Sequence, residues 1–276
     1  MTHTTHPQIA EATVRAPLWS GARPAPAMPL AASLTFATRG LLKLRRVPEQ
    51  AADAVLIPVI FTVLFTYLFG GALAGSTDEY LQTLLPGTLV MCALLVTIYA
   101  GVGLNADKTR GILDRFRSMP FPVAAHVAGA LVAEAVRALV ASLIVVGIGF
   151  LMGFRPDGGL AGVAAAIALV IVFSTSIAWI WAAIGLLLRT PAAVSTLSFV
   201  IQFPLTFASN VFVDPKTMPG WLRAFVDVNP VSLLATSVRH LMAGTASAGD
   251  VGWVLIASAT LTAVFAPLTV RLYRAV

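Results

Sequence analysis

Long charge-free stretches alternate with short charged ones along this chain, and the lengths of the stretches set its architecture. Residues 54–77 run without a charge between Asp53 and Asp78, and 80–106 between Glu79 and Asp107. The same holds for 158–188 between Asp157 and Arg189, 190–213 before Asp214, and 251–270 between Asp250 and Arg271. Each can hold the roughly 20 apolar residues with which a helix crosses a bilayer. A sixth stretch, 138–154 between Arg137 and Arg155, is slightly short and spans once its helix is extended back into the interface. The pattern predicts an all-α integral membrane protein with six transmembrane helices.

The intervals between the spans carry periodicities of their own. Leu30, Leu34, Ala37, Leu41 and Leu44 recur at helical spacing with Arg39, Lys43 and Arg46 opposite. That predicts an amphipathic N-terminal helix lying on the inner membrane surface and ended by Pro48, although a continuation of the first span fits the same spacing. Ahead of it, residues 1–29 hold Thr, His, Ala and five prolines and no durable period. They lack a contiguous apolar core before a cleavage site, and so read as a flexible cytoplasmic extension rather than a signal peptide. The expected division is an extension, 1–29, and a transmembrane domain, 30–276. In the last loop, Asp214–Asp250, Asn229-Pro230 is a helix start with Asn as N-cap and Pro at N1. Leu233, Leu234, Val238 and Leu241 give that helix an apolar face, Gly244 can end it, and Trp221 and Phe225 suit a membrane interface. Short helices dipping into the outer leaflet are expected, a partly ordered surface loop being the alternative.

The run Gly101–Pro120 is the most distinctive of the loops, with six charges: Asp107, Lys108, Arg110, Asp114, Arg115 and Arg117. Ile112, Phe116 and Met119 fall at i, i+4, i+7 with Leu113 beside them, while Arg110, Asp114 and Arg117 share the other face. With Asp107 capping its start and Pro120 stopping it, the run predicts a short amphipathic helix just outside the membrane. An apolar ridge with a charged flank is what a membrane protein needs to receive mechanical work from a soluble partner.

Composition agrees with the spans: 58% of residues are hydrophobic and only 11% charged, against about 25% charged in soluble domains. The charge distribution orients them. With both termini on one side, that side collects the six basic residues Arg15 to Arg46, four from the second loop, Arg189, Arg271 and Arg274, against Arg155, Lys216, Arg223 and Arg239 opposite. The positive-inside rule therefore puts both termini and the Asp107–Pro120 run in the cytoplasm. The net charge of +6 follows from this topology, and no aromatic-interleaved basic patch accompanies it, so nucleic acid is not expected as a partner.

Catalytic patterns are missing. No Gly-x-x-x-x-Gly-Lys-Ser/Thr loop is present to hold nucleotide phosphates, nor a His-Glu-x-x-His, nor a Gly-x-Ser-x-Gly elbow. The four histidines are scattered and no metal site is expected; the single cysteine, Cys92, lies within the second span and suits a small apolar role. Glu134 and Arg137 are the opposite charges nearest a span interior, and their i, i+3 spacing lets them pair. They can be a proton or substrate relay, or a paired anchor near the cytoplasmic end of the third span. Phe199, Phe203 and Phe207 recur at i, i+4, i+8 on one face of the fifth span, as a cargo surface or as packing.

Two long segments carry a family resemblance. Gly101-Val-Gly-Leu…Asp107…Gly111-Ile-Leu-Asp-Arg-Phe-Arg-Ser-Met-Pro120 resembles the cytoplasmic coupling segment of permease subunits of type-2 ABC exporters, in particular the daunorubicin/doxorubicin-resistance permeases. Phe207–Phe212, Thr217–Phe225 and Asn229–Ser232 agree independently, as does Leu85-Pro-Gly87. The resemblance covers roughly Thr35 to Tyr273. It implies a homodimer of six-span subunits in a bacterial plasma membrane, docked on two copies of a separate ABC-type ATPase. ATP and Mg would be bound by that partner and no cofactor by this chain. Membrane lipids surround it, and re-entrant extracellular helices lie between spans five and six. Coupling residues would be Asp107, Arg110, Gly111, Ile112, Leu113, Asp114, Arg115, Phe116 and Arg117. With the first, second and fifth spans facing the dimer axis, Phe199, Phe203, Phe207 and Asn210 become candidates for the substrate pathway. The implied activity is outward transport of hydrophobic or amphipathic drug-like molecules. Export of lipid or glycolipid, ion-coupled secondary transport and an intramembrane enzyme are the alternatives.

Overall fold

The structure, a computed structural model, describes residues 33, 35–40, 56, 58–68, 77–113, 123–213 and 215–275. The proposed extension 1–29 and the run Asp114–Pro120 lie outside them. Among the described residues the regular elements are helices. They are α1 (35–40), α2 (Pro58–Leu68), α3 (Thr77–Val96), α4 (Ile98–Thr109), α5 (Val123–Leu151), α6 (Gly159–Leu187) and α7 (Pro191–Phe207). A 3₁₀ turn at Pro215–Thr217 then leads to α8 (Gly220–Val228), α9 (Pro230–Met242) and α10 (Ala248–Ala275).

Among the described residues four stretches are long and apolar enough to cross a membrane: Tyr80–Thr109, Ala125–Leu151, Gly159–Leu187 and Ala248–Ala275. Of the two other expected spans, the first is described only at 56 and 58–68, and the fifth is shorter than its charge-free stretch. α7 has 17 residues, about 26 Å at 1.5 Å per residue, because the chain leaves the helix at Ala208 well before the charge at Asp214. Its N-terminus is capped by Thr190, whose Oγ1 accepts from Ala193 N at 3.2 Å, with Pro191 following at the first helical position. The third span is longer than its charge-free stretch, since α5 begins at Val123 and carries Glu134 and Arg137 within it. α3 and α4 form one rod interrupted only at Thr97, whose hydroxyl donates to Leu94 O (2.6 Å) and accepts from the Trp181 indole (2.9 Å).

α6 is the centre of the bundle, packed against α10, α4, α9 and α5. Leu85, Leu89 and Met91 of α3, Phe173 and Trp181 of α6, and Leu234 and Val238 of α9 fill the main core. Small residues let backbones approach, as they do between helices in lipid. A Cβ on Gly101 would strike the Trp181 carbonyl, and one on Gly185 the Gly101 carbonyl. At the opposite end of α6, Gly158 N donates to Met242 O at 2.8 Å, which docks the end of α9. Helix ends meet in two groups, as alternating up-and-down helices require. Asn105, Asp107, His126, Gly185 and Tyr273 gather at one end, and Gly158 and Met242 at the other.

Two expectations are corrected in detail. Asp107 does not open a helix after the second span; it lies inside α4, which ends at Thr109 and turns at Gly111 with φ +67°. Its charge is matched by partners from other elements, so it does not have to face water. The buried face of α9 is Val231, Leu234, Ala235, Val238 and Met242, while Leu233 is 38% exposed, because the helix is wedged among α3, α6 and α10 rather than laid on a surface. The N-terminal helix is described only at 35–40, where Gly129 of α5 gives Phe36 and Ala37 room to sit against it.

Candidate coupling stem and transport cleft

The stem of the Gly101–Pro120 loop is α4, and its polar residues hold it to the bundle. Gly101, Asn105 and Lys108 fall at i, i+4, i+7, on one face toward α6. Asn105 Nδ2 donates to Gly185 O and Leu188 O, both at 2.8 Å, and Lys108 Nζ to Leu186 O at 2.6 Å. The final carbonyls of a helix have no partners within it, and here those of Gly185 and Leu186, with that of the capping residue Leu188, are satisfied by α4. The positive Lys108 also complements the negative end of the α6 dipole.

On its other flank α4 presents Asp107, 8% exposed, to two further elements. Oδ1 accepts from Arg39 Nη2 of α1 at 3.2 Å, and Oδ2 pairs with His126 Nε2 of α5 at 3.3 Å. The second ring nitrogen of His126 lies 3.0 Å from the Tyr273 hydroxyl of α10. This chain joins α1, α4, α5 and α10 at one end of the molecule. Nearby, Arg137 Nη1 donates to Glu134 Oε1 at 2.6 Å, and the guanidinium lies 5.6 Å from the Tyr99 ring centroid. A small cavity of about 70 Å³, bordered by the charged residues of both, lies between the two clusters. Leu113 is buried against Leu104, Val127, Leu131 and Tyr273, while Arg110 and Gly111 are exposed and Ile112 half-buried. Asp114, Arg115, Phe116 and Arg117 fall outside the described residues.

A second, apolar cleft of about 350 Å³ lies between α2, the α3–α4 rod and α7, lined by Phe61, Cys92, Tyr99, Phe199, Phe203 and Phe207. Its phenylalanines belong to a continuous chain of ring contacts that also runs through Phe212 and Phe65. Ring centroids are 5.3 Å apart for Phe199–Phe203, 4.1 Å for Phe203–Phe207, 5.1 Å for Phe207–Phe212, 5.0 Å for Phe212–Phe65 and 5.2 Å for Phe65–Phe61. The helical stripe thus lines one face, as its spacing requires. Asn210 is not with it. Its Nδ2 donates to Thr236 Oγ1 at 2.7 Å, and the residue borders a different cavity of about 240 Å³ beside Asp227, Ser232 and Trp253. Asn229 is the N-cap of α9, its Oδ1 accepting from Val231 N at 2.9 Å, and its Nδ2 closes the end of α7 through Leu205 O at 2.7 Å. Among the described residues no group of His, Cys, Asp and Glu is arranged to hold a metal.

Sequence reasoning did not single out Asn105, Lys108, His126 or Tyr273. The i, i+4, i+7 recurrence of Gly101, Asn105 and Lys108 was a usable signal; the His126–Tyr273 contact, between residues far apart in the chain, left none.

These features define a multi-pass helical membrane protein with a clamped loop stem and an aromatic cleft. The chain belongs to the ABC-2 type transporter family, which it matches over residues 32–243. It is 48% identical over 277 residues to the daunorubicin resistance ABC transporter permease protein DrrB1 of Streptomyces coeruleorubidus, covering 98% of each chain. It is 25% identical over 245 residues to the probable doxorubicin resistance ABC transporter permease protein DrrC of Mycobacterium tuberculosis, covering 88% of this chain and 87% of that one. A putative transport permease, ycf38 of Cyanophora paradoxa, is 26% identical over 212 residues, 74% of this chain and 71% of its own length. The family expected from the Gly101–Pro120 and Phe207–Ser232 segments is the one found.

Proposed function

We propose that this chain is the membrane-spanning permease subunit of an ATP-driven exporter. Its cargo is hydrophobic or amphipathic small molecules resembling the drugs for which its relatives are named. Two copies of the chain pair in a bacterial plasma membrane with both termini in the cytoplasm, and each copy docks one separate ATPase that holds ATP and Mg. The observation that carries this reading is the stem. Because Asn105 and Lys108 clamp α4 to the end of α6, and Asp107 ties it to α1 and α5, a push on the 107–120 loop cannot bend α4 alone. It must tilt the bundle as a body, the kind of rigid rearrangement by which a switch at one site moves a distant one. The apolar cleft on the flank of that same rod is where such a tilt alters access.

The test is daunorubicin accumulation in cells carrying the chain with an ATPase encoded beside it. The wild type lowers accumulation. Phe116→Asp, which sets an unpaired charge against an apolar socket, abolishes export and releases the ATPase from purified membranes. Full export together with normal ATPase recruitment in that variant overturns the assignment.

A further inference from the structure

Among the described residues, Tyr99 is the one side chain that borders both the charged cavity and the aromatic cleft. On one side its ring meets the Arg137 guanidinium at 5.6 Å, and Arg137 is held by Glu134 at 2.6 Å. On the other side it borders a cleft whose wall includes Phe61, Phe199, Phe203, Phe207 and the buried Cys92. Glu134 and Arg137 are 4% and 6% exposed, and both border the smaller cavity, with the Tyr99 ring bordering that cavity and the larger one. We propose that Tyr99 is a selectivity-determining partition. It keeps an ion pair out of the cargo cleft, and so restricts the cleft to molecules without a charge at that end.

The physical reason is the asymmetry of the two cavities. A cleft lined by aromatic faces binds apolar surface and offers little to a charged group, which loses its hydration on entry. Opening the partition joins the 350 Å³ cleft to the 70 Å³ cavity and brings a guanidinium within reach. Arg is a rigid fork of donors suited to sulfonate, carboxylate or phosphate oxygens. The variant therefore gains affinity for anionic amphipaths while changing little for neutral ones. Export of such molecules rests on the reading of the cleft as cargo route, but the binding step is measurable without ATPase or transport.

Two fluorescent probes of similar ring system serve, N-phenyl-1-naphthylamine, which is neutral, and 1-anilinonaphthalene-8-sulfonate, which is anionic. Each is titrated into the full chain in lipid nanodiscs, with empty nanodiscs subtracted. The wild type binds the neutral probe the more tightly, and Phe203→Ala weakens it. Tyr99→Ala tightens the sulfonate by about tenfold relative to the neutral probe, the scale of one charge-assisted hydrogen bond. Tyr99→Phe keeps the wild-type ratio because the ring is retained, and Tyr99→Ala with Arg137→Met loses the gain. A merely structural Tyr99 would weaken both probes together, which overturns the proposal, as does an unchanged ratio in both Tyr99→Ala and Tyr99→Leu. A neutral probe that ignores Phe203→Ala removes the cleft as a binding site and the partition with it. Failure of drug export in cells while the probe ratio shifts as stated leaves the partition standing and counts only against the export reading.

Discussion

At the scale of single residues, Gly185 and Gly103 make a controlled pair. Both can take a methyl group without leaving helical backbone angles, yet Gly185→Ala drives a Cβ into the Gly101 carbonyl while nothing lies within 4 Å of one at Gly103. Gly185→Ala is expected to lower the thermal unfolding temperature of the detergent-purified protein, and Gly103→Ala to leave it unchanged or raise it. Asn105→Leu strands the Gly185 and Leu188 carbonyls at about 1–3 kcal/mol each, so it should destabilise more than any exposed change on α4. Glu134→Leu leaves Arg137 charged and buried, a loss of about 3–5 kcal/mol, whereas Glu134→Gln with Arg137→Met should recover most of it. If the stable double variant still exports, the pair is structural; loss of export at normal stability makes it a relay. That Glu134 and Arg137 could pair was legible from their spacing. Their depth was not, because counting charge-free residues assumes that a charge ends a span, and a charge neutralised by its neighbour does not.

The same assumption misplaced an element. Asp107 reads as an N-cap when only local sequence is considered, since a carboxylate before an apolar-periodic run is a helix start signal. The three-dimensional partners Arg39 and His126 turn it into the buried interior of α4, and the stop is supplied instead by Gly111 in the left-handed region. Local capping was read correctly where partners are local, as at Asn229 and Gly244. It failed where the partner comes from another helix, as with Asn105 at the end of α6. The up-and-down arrangement itself gives a test of sidedness. In a Cys92→Ala background, Ser76→Cys and Thr245→Cys should react with an impermeant thiol reagent in intact cells, and Ser118→Cys only after the membrane is opened. Thr245 is exposed and leaves intact the Ser247–Asp250 cap of α10, in which Ser247 N donates to Asp250 Oδ2 at 3.0 Å. Labelling of Ser118→Cys in intact cells would reverse the proposed topology, and with it the proposed cytoplasmic position of the loop stem.

Over the whole molecule, the apolar residues left uncovered show where a membrane or a second copy must lie. Ile60, Leu64 and Leu68 on α2, and Phe199, Val200 and Phe203 on α7, are each at least 42% exposed, and these two helices flank the cleft. The stripe of Phe199, Phe203 and Phe207 was visible from sequence, but whether it touches cargo, a second copy or lipid depends on surfaces that belong to the assembly rather than to the helix. Phe203 distinguishes the three. It stacks on Phe207 with centroids 4.1 Å apart and still turns two-fifths of its surface outward, so truncation removes cleft wall without leaving a sealed void. Phe203→Ala is expected to change the order of preference among exported drugs while dimer and ATPase assembly, read by native mass spectrometry, stay intact. A weaker dimer with all drugs reduced alike would make the stripe an interface between copies. An unchanged drug order with an unchanged dimer would leave lipid contact as the account. The first outcome is the one expected, because Phe203 spends one face on Phe207 and borders an open 350 Å³ space large enough to take an apolar ligand, so its truncation alters the wall such a ligand would meet.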